Sequence, residues 1–311
     1  MPWSAGEPIS RGVETFALHW GFLPVLILLS VLHYVASALA LQSVAGRRLP
    51  LREATLTQFT AAAANRLAPG GIGAAAVNVR YLTCRGVPAP RAIASVTALQ
   101  AATALGDLLL FLAVLTVGHW TGGGGAQVLT ALGSHTAQTA DRLPLPWLLA
   151  AIGTVIALVA FAWWRMRGDS GRLITTLAQT LTAMAELLRR PRDLLVTVTA
   201  TAATTLVLSL AFALSVLAVP GASAPGELMT LLAAYFIGAA AGSALPVPAA
   251  IGSTEAALIA ALGGAEVSAG HALQAVVLFR AITYWAPVPV GLFATRALRR
   301  SQAEPVPAPA Q

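Results

Sequence analysis

The stretch Ala244–Trp285, ALPVPAAIGSTEAALIAALGGAEVSAGHALQAVVLFRAITYW, decides the fold. An apolar segment enters this stretch and is interrupted by Pro246 and Pro248. Proline removes a backbone donor and clashes with the preceding helical turn, so the pair predicts the end of a helix. Such a break persists in a bilayer only where protein or a water-filled cavity satisfies the freed backbone groups. The stretch therefore indicates a broken helix within membrane-grade sequence.

A second helix is predicted directly after the break. Gly252 is followed by Ser253 and Thr254, either of which is suited to cap a helix through its hydroxyl. Glu255 then falls in the first turn, where a negative charge is favourable. The pattern predicts two half-helices with a polar junction between them.

Composition indicates an all-α polytopic membrane protein. Of the 311 residues, 57% are hydrophobic and 10% are charged, whereas soluble domains carry roughly 25% charged residues. The net charge is +7, and all nineteen basic residues are arginine. These arginines fall between the apolar segments, where they set orientation and face anionic lipid, so nucleic acid is not expected as a partner. We predict a single transmembrane domain over residues 1–296 and a disordered cytoplasmic tail over 297–311.

Seven apolar segments account for this domain. Five are long enough to cross a bilayer in full: Phe22–Leu41, Ile93–Val117, Trp147–Trp164, Leu194–Val219 and Ala269–Ala294. Two others, residues 53–79 and 227–266, are interrupted by proline and glycine. The stretch 166–193, rich in arginine, suits an amphipathic helix on the cytoplasmic surface.

Arginine distribution predicts how the segments are oriented. The basic loops are 43–53, 80–91, 165–193 and the C-terminal tail, whereas 119–146 and 220–226 are nearly free of arginine. By the positive-inside rule, the basic loops and the C-terminus lie in the cytoplasm and the N-terminus lies outside. We predict that the membrane is the plasma membrane. Segment 53–79 then begins and ends inside, and at about 1.5 Å per residue it is too short to cross twice. We predict that it is a re-entrant hairpin, and that 227–266 is a second one entering from the other face.

The two broken segments are similar in sequence. Pro69-Gly70-Gly71-Ile72-Gly73 aligns with Pro248-Ala249-Ala250-Ile251-Gly252, so that Gly73 corresponds to Gly252. Each segment lies between two full spans, which predicts an inverted repeat with repeat 1 at about 16–118, a connector span at about 147–165 and repeat 2 at about 194–296. Inverted repeats with broken helices are typical of alternating-access transporters. The predicted structural helix breaks are Pro69, Gly70, Gly71, Gly73, Pro246, Pro248 and Gly252.

These motifs resemble those of a known family. Residues 65–73, NRLAPGGIG, and 246–255, PVPAAIGSTE, followed by Arg280 and the pair Tyr284-Trp285, are similar to the flippase-like integral membrane family that includes the transmembrane region of lysylphosphatidylglycerol synthases. The resemblance covers roughly residues 22–296. It implies translocation of a phospholipid or a polyprenyl-linked precursor. The family's aminoacyl-transferring soluble domain has no counterpart here, so lysyl-lipid synthesis is not expected.

Six residues are predicted to bind the substrate: Asn65, Arg66, Asp107, Glu255, Arg280 and Tyr284. Asp107 and Arg280 lie deep in predicted spans, where charges are costly and by default functional; the alternative is a structural ion pair. Glu255 is expected to pair with Arg280 in the empty site and to yield it to a phosphate headgroup, although a plain helix-start acid remains an alternative. Arg66 is expected to hold the anionic headgroup or, alternatively, to extend to the interface. For Tyr284, the alternative is an interfacial aromatic belt.

Catalysis is not expected. The sequence shows no nucleotide-binding motif, no metal-ligand spacing among its histidines and no Ser–His or His–Asp constellation, so we predict no cofactor, no metal and no enzyme activity. The sequence therefore favours a transporter or flippase for a lipid with an anionic headgroup. Two alternatives stay open: a membrane enzyme that modifies a lipid headgroup, and an accessory subunit that presents lipid to a separate membrane-bound synthase.

Overall fold

The computed structural model describes residues 18–47, 49–67, 72–120, 178, 182, 185, 188–222, 228–244 and 252–303. Within these residues every regular element is helical. The helices are α1 (Leu23–Ala45), α2 (Leu51–Leu67), α3 (Ile72–Cys84), α4 (Ala89–Trp120), α5 (Pro191–Leu217), α6 (Leu228–Ala244), α7 (Ser253–Gly264), α8 (Ala269–Arg280) and α9 (Pro287–Ala303). A π-helical turn, Ala281–Trp285, lies between α8 and α9.

Four helical stretches in the described part of the chain are long and apolar enough to cross a membrane: Trp20–Ala45, Ala89–Val117, Pro191–Leu217 and Ala269–Arg296. They coincide with four of the five predicted spans, and the chain is accordingly a multi-pass membrane protein. The predicted connector Trp147–Trp164 lies outside the described residues, as does most of the predicted amphipathic stretch 166–193 and the tail beyond residue 303.

The last span is helical over Ala269–Arg296, which confirms the span predicted at Ala269–Ala294, but it contains one π turn that the sequence did not predict. The helix widens at Ala281–Trp285, where the Ala286 N–H donates to the Ala281 carbonyl at 2.8 Å. Pro287, which has no N–H to continue an α-helical ladder, opens α9 directly afterwards. Single π turns of this kind occur frequently at functional sites.

Residues 51–84 fold back on themselves as a helical hairpin of α2 and α3. An ion pair between Glu53 and Arg85 joins the two ends of the hairpin. Near its tip, Gly73 lies so close to the Ala64 carbonyl that a side chain there would collide with the backbone. Because Arg80 lies in α3, it does not belong to the loop predicted at 80–91.

A second hairpin is formed by α6 and α7. Gly242 and Gly238 on α6 approach Thr254 and Leu258 on α7, so the residue numbers rise on one helix as they fall on the other. The Ser253 hydroxyl donates to the Gly242 carbonyl at 3.2 Å. We predicted that Ser253 or Thr254 caps α7, but neither hydroxyl does so.

The start of α7 is instead held by Glu255. Its Oε2 accepts the Gly252 N–H at 2.7 Å. A glycine is needed at this junction because φ of Gly252 is 85°, in the region that L side chains rarely adopt.

The centre of the bundle is the antiparallel pair α1 and α5. The Ser43 and Thr197 hydroxyls lie 2.7 Å apart, and the His33 Nδ1–H donates to the Thr204 carbonyl at 3.2 Å. Small residues such as Ala38 are fully buried at this contact, which is how helices approach closely in a membrane. Leu105, Leu108, Leu109 and Leu112 of α4 are about half exposed, as expected for lipid contact.

The same turn ends α3 and α7. In the first hairpin Val87 donates to Leu82 and Gly86 to Thr83, and in the second Val267 donates to Leu262 and Glu266 to Gly263, all at 3.0–3.1 Å. The residue in the left-handed region is Gly86 (φ 78°) in the first turn and Glu266 (φ 63°) in the second. This is the Schellman arrangement of a helix C-terminus, and the two hairpins share it.

Candidate functional site

A cavity of about 320 Å³ lies where the ends of both hairpins meet α1 and the last span. Its apolar walls come from several helices, including α2, α5 and α6. Four of the six predicted substrate ligands line it, namely Asn65, Arg66, Arg280 and Tyr284. Its other polar lining residues are His33, Tyr34, Ser37, Gln58, Tyr235, Thr254 and Thr283.

Arg280 forms an ion pair with Glu255. The Arg280 Nε lies 2.8 Å from Glu255 Oε1, and only 11% of the Arg280 side chain is exposed. The contact is electrostatic, since the Nε–H is not directed at the carboxylate and finds no hydrogen-bond acceptor. Glu255 is held in place by its bond to the Gly252 N–H. The pair expected from the sequence is thus present in the structure.

Tyr284 is contacted by two guanidinium groups. The Arg66 Cζ lies 4.0 Å from the ring centroid, and the Arg280 Cζ lies 4.4 Å from it. Aromatic faces attract cations in this way, with about 0.5–2 kcal/mol per contact depending on burial. Tyr284 therefore draws together an arginine of the first hairpin and an arginine of the last span, which lie far apart in the sequence.

The two arginines retain buried donors without hydrogen-bond partners. These are the Arg66 Nε, the Arg280 Nε and the Arg280 Nη2. Leaving a buried charged donor unpaired is costly, so an acceptor is favoured beside them. Among the described residues at this place, Arg66 and Arg280 face one carboxylate, Glu255, which leaves one cation in excess. A phosphate oxygen has the charge and the acceptor geometry that guanidinium groups bind.

The π turn sets the positions of Arg280 and Tyr284. Arg280 is the last residue of α8, and Tyr284 lies within the turn. The Thr283 hydroxyl donates to the Phe279 carbonyl at 2.7 Å, and the Ser30 hydroxyl of α1 donates to the Ile282 carbonyl at 3.3 Å. The turn thus places both side chains in the same cavity and is anchored to α1.

Asn65 has a structural contact as well as a place in the cavity. Its Oδ1 accepts the Ala74 N–H at 3.4 Å, which satisfies a backbone donor at the start of α3. Arg66 follows it in the last turn of α2, within hydrogen-bonding reach of the Tyr34 hydroxyl. The end of the first hairpin therefore presents Arg66 to the cavity while Asn65 fixes the neighbouring backbone.

Asp107 is not brought into this cavity. Its carboxylate accepts the hydroxyl hydrogen of Thr205, which joins α4 to α5. Asp107 does not line the cavity, and its role as a substrate ligand stays a prediction. Of the predicted helix breaks, Pro69, Gly70, Gly71, Pro246 and Pro248 lie outside the described residues, while Gly73 and Gly252 occupy the close approach and the positive-φ junction given above.

Sequence reasoning missed the contribution of α1. His33, Tyr34 and Ser37 line the cavity, and their polar side chains within an apolar span were a signal that could have marked them. Pro287 was a comparable signal for the π turn in the last span. In the described residues, no group of three or more His, Cys, Asp or Glu side chains is placed to hold a metal ion.

Comparison with known proteins gives one family. The family model described as "Lysylphosphatidylglycerol synthase TM region" matches residues 9–291, which is most of the chain. The comparison with curated proteins found no match.

Proposed function

Because the chain belongs to the lysylphosphatidylglycerol synthase TM region family, we propose that it moves a lipid or lipid-linked precursor with an anionic headgroup across the bilayer. The family relates it to lipid modification or flipping and to membrane lipid substrates. Movement rather than chemistry is our inference. It rests on a cavity that offers guanidinium donors and no assembled nucleophile among the described residues.

The observation that carries this proposal is the set of buried, unpartnered guanidinium nitrogens of Arg66 and Arg280 around one cavity. Together with Glu255 they leave a single positive charge in excess, which matches the single negative charge of a phosphodiester. In this proposal the headgroup enters the cavity and the acyl or prenyl chains stay in lipid. The phosphate then displaces the Glu255 carboxylate from Arg280.

Alternating access would follow from the arrangement of the hairpins. The antiparallel contact of α1 with α5 and the C-terminal turn shared by α3 and α7 support an inverted repeat. In that arrangement α2–α3 and α6–α7 are re-entrant hairpins that enter from opposite faces. Motion of one repeat against the other would expose the cavity to each side in turn.

Reconstituted vesicles test the proposal. Purified protein is placed in vesicles with a phosphatidylglycerol that carries a fluorophore on one acyl chain, and a membrane-impermeant reductant reports how much of the lipid has changed leaflet. We expect the wild type to accelerate the exchange. Arg66→Gln and Arg280→Gln should each slow it about tenfold or more, because a charged hydrogen bond contributes about 1.5–3 kcal/mol.

The matched control is Arg296→Gln, which removes an exposed arginine of the same last span outside the cavity lining. Its rate should equal that of the wild type. A rate no faster than protein-free vesicles would contradict the proposal, and so would equal rates for all four proteins. Mass spectrometry of the same vesicles separates the enzyme alternative, since a newly formed lipid species would show that the protein modifies the headgroup.

A further inference from the structure

A second cavity, with different chemistry, lies at another place in the bundle. It also has a volume of about 320 Å³, and it is bounded by the C-terminal ends of α1 and α3 and the starts of α4 and α5. Its lining residues are Ala45, Gly46, Arg47, Gly86, Val87, Pro88, Arg91 and Arg190. Three of these eight are arginines and none is acidic, so we call it the arginine cavity.

Two of these arginines lie against glycines. A side chain on Gly46 would meet the Arg190 Nη1 at 2.7 Å, and one on Gly86 would meet the Arg47 Nη1 at 3.4 Å. Both glycines have positive φ, 62° and 78°, and both end helices. The guanidinium groups therefore lie directly on exposed backbone at two helix C-termini, a place that side chains other than glycine would fill.

One of the contacts is a defined hydrogen bond. The Arg47 Nη1 donates to the Arg85 carbonyl at 2.5 Å, which holds the guanidinium across the α3–α4 turn. Arg190 has a carboxylate, Asp193, at 3.9 Å, but Asp193 does not line the arginine cavity. The cavity thus brings together arginines from three separate parts of the chain, and none of its described lining residues is acidic.

A neighbouring cavity shows the contrast. It has a volume of about 360 Å³, shares Gly46 and Arg47 with the arginine cavity, and is lined in addition by Arg192 and Asp193. There an acid accompanies the arginines. The described lining on that side of Arg47 therefore includes a carboxylate, whereas the described lining of the arginine cavity does not.

We propose that the arginine cavity binds the phosphate group of an anionic phospholipid, separately from the transported lipid. Guanidinium groups form paired hydrogen bonds with phosphate oxygens, and basic cavities between membrane helices bind anionic headgroups. The bound headgroup joins α1, the α3–α4 turn and the start of α5, so it stabilises the contact between the two halves of the chain. Inorganic phosphate shares this chemistry but lacks the acyl chains that hold a lipid beside the bundle.

Native mass spectrometry of the purified protein tests the assignment. Detergent-solubilised protein is supplied with phosphatidylglycerol, with phosphatidylcholine or with inorganic phosphate, and the retained molecules are counted. We expect phosphatidylglycerol to be retained more tightly than phosphatidylcholine and the melting temperature to rise with phosphatidylglycerol alone. Retention by the wild type should fall as sodium chloride is raised, a result that requires no variant.

Single substitutions locate the bound lipid. Arg47→Gln and Arg190→Gln should each reduce retention about tenfold, whereas Arg190→Lys should keep part of it. Arg192→Gln, from the neighbouring cavity, should leave retention unchanged. Equal retention by all variants, the same loss with Arg192→Gln, or stabilisation by inorganic phosphate as large as that by phosphatidylglycerol would each overturn the proposal.

Discussion

For single residues, the proposed transport depends on a competition for Arg280. The Glu255 carboxylate lies 2.8 Å from the Arg280 Nε, and a phosphate would have to replace it. In the proposed transport the carboxylate opposes substrate binding and promotes substrate release. Substituting the acid and the base should change affinity in opposite directions.

Glu255→Gln is expected to tighten binding of a short-chain phosphatidylglycerol about tenfold and to slow its transport. Arg280→Gln is expected to weaken binding by a similar factor. It removes a charged hydrogen bond to the phosphate of about 1.5–3 kcal/mol, whereas Glu255→Gln removes the charge that competes with the phosphate for Arg280. Fluorescence titration of the solubilised protein measures both. The control is Asp107→Asn, an acid-to-amide change outside the cavity, which should not alter affinity. Weaker binding by Glu255→Gln would contradict the competition.

Two substitutions of Tyr284 test whether transport depends on its aromatic ring or on its hydroxyl. Tyr284→Phe keeps the aromatic face on which Arg66 and Arg280 lie, so transport should remain within about threefold of the wild type. Tyr284→Leu removes that face and with it two contacts of about 0.5–2 kcal/mol each, so transport should fall about tenfold. The vesicle assay measures both rates. Equal loss in the two variants would show that the hydroxyl, not the ring, matters.

The residues that could be predicted from sequence are those that conflict with their surroundings. Arg280 and Glu255 stand out because charges are rare in apolar segments, and we predicted that they pair; the structure confirms this contact. His33 and Tyr34 were missed because the face of α1 that meets the cavity depends on how α1 packs against α5. Periodicity does not reveal it when nearly every residue of the helix is apolar.

At the scale of elements, the repeated C-terminal turn gives a comparison within one chain. Gly86 and Glu266 occupy equivalent positions with positive φ, yet only glycine adopts this region without a steric cost. The second hairpin therefore carries a strained residue where the first carries an unstrained one.

Glu266→Gly is expected to stabilise the protein by about 1 kcal/mol, because it removes the steric cost of a side chain at positive φ. Gly86→Ala should destabilise it by a similar amount for the converse reason. Thermal unfolding of the detergent-solubilised protein measures both. Gly270→Ala is the control, since Gly270 has open space around it and ordinary φ. A lower melting temperature for Glu266→Gly would contradict the equivalence of the two turns.

Sequence predicted the existence of the elements better than their interior geometry. Proline and glycine marked both hairpins, and apolar length marked the four described spans. The π turn at 281–285 was not predicted, because its residues are compatible with an α-helix and only Pro287 indicates a disturbance. Capping of α7 was assigned to Ser253 or Thr254, whereas the Glu255 carboxylate accepts the Gly252 N–H and Ser253 donates to α6.

For the whole molecule, we propose that two helical hairpins enter the membrane from opposite faces and that their ends meet at the cavity lined by Arg66 and Arg280. Three features support this arrangement: the antiparallel α1–α5 contact, the C-terminal turn repeated in α3 and α7, and the convergence of Arg66 with Glu255 and Arg280. The sequence suggested the repeat through a short alignment around Gly73 and Gly252. It did not reveal that the ends of the hairpins meet, because that depends on long-range packing of helices with similar apolar surfaces.

Cysteine labelling from each side of the membrane tests whether the two hairpins enter from opposite faces. Cys84 is the sole cysteine and is exposed at the end of α3, and Ala265, at the equivalent end of α7, can be made cysteine in a Cys84→Ser background. Both proteins are treated with a membrane-impermeant maleimide in intact cells and in inverted vesicles. We predict that Cys84 reacts only in inverted vesicles and that Ala265→Cys reacts only in intact cells. Reaction of both positions from the same side would contradict the opposed hairpins, and with them the alternating-access account.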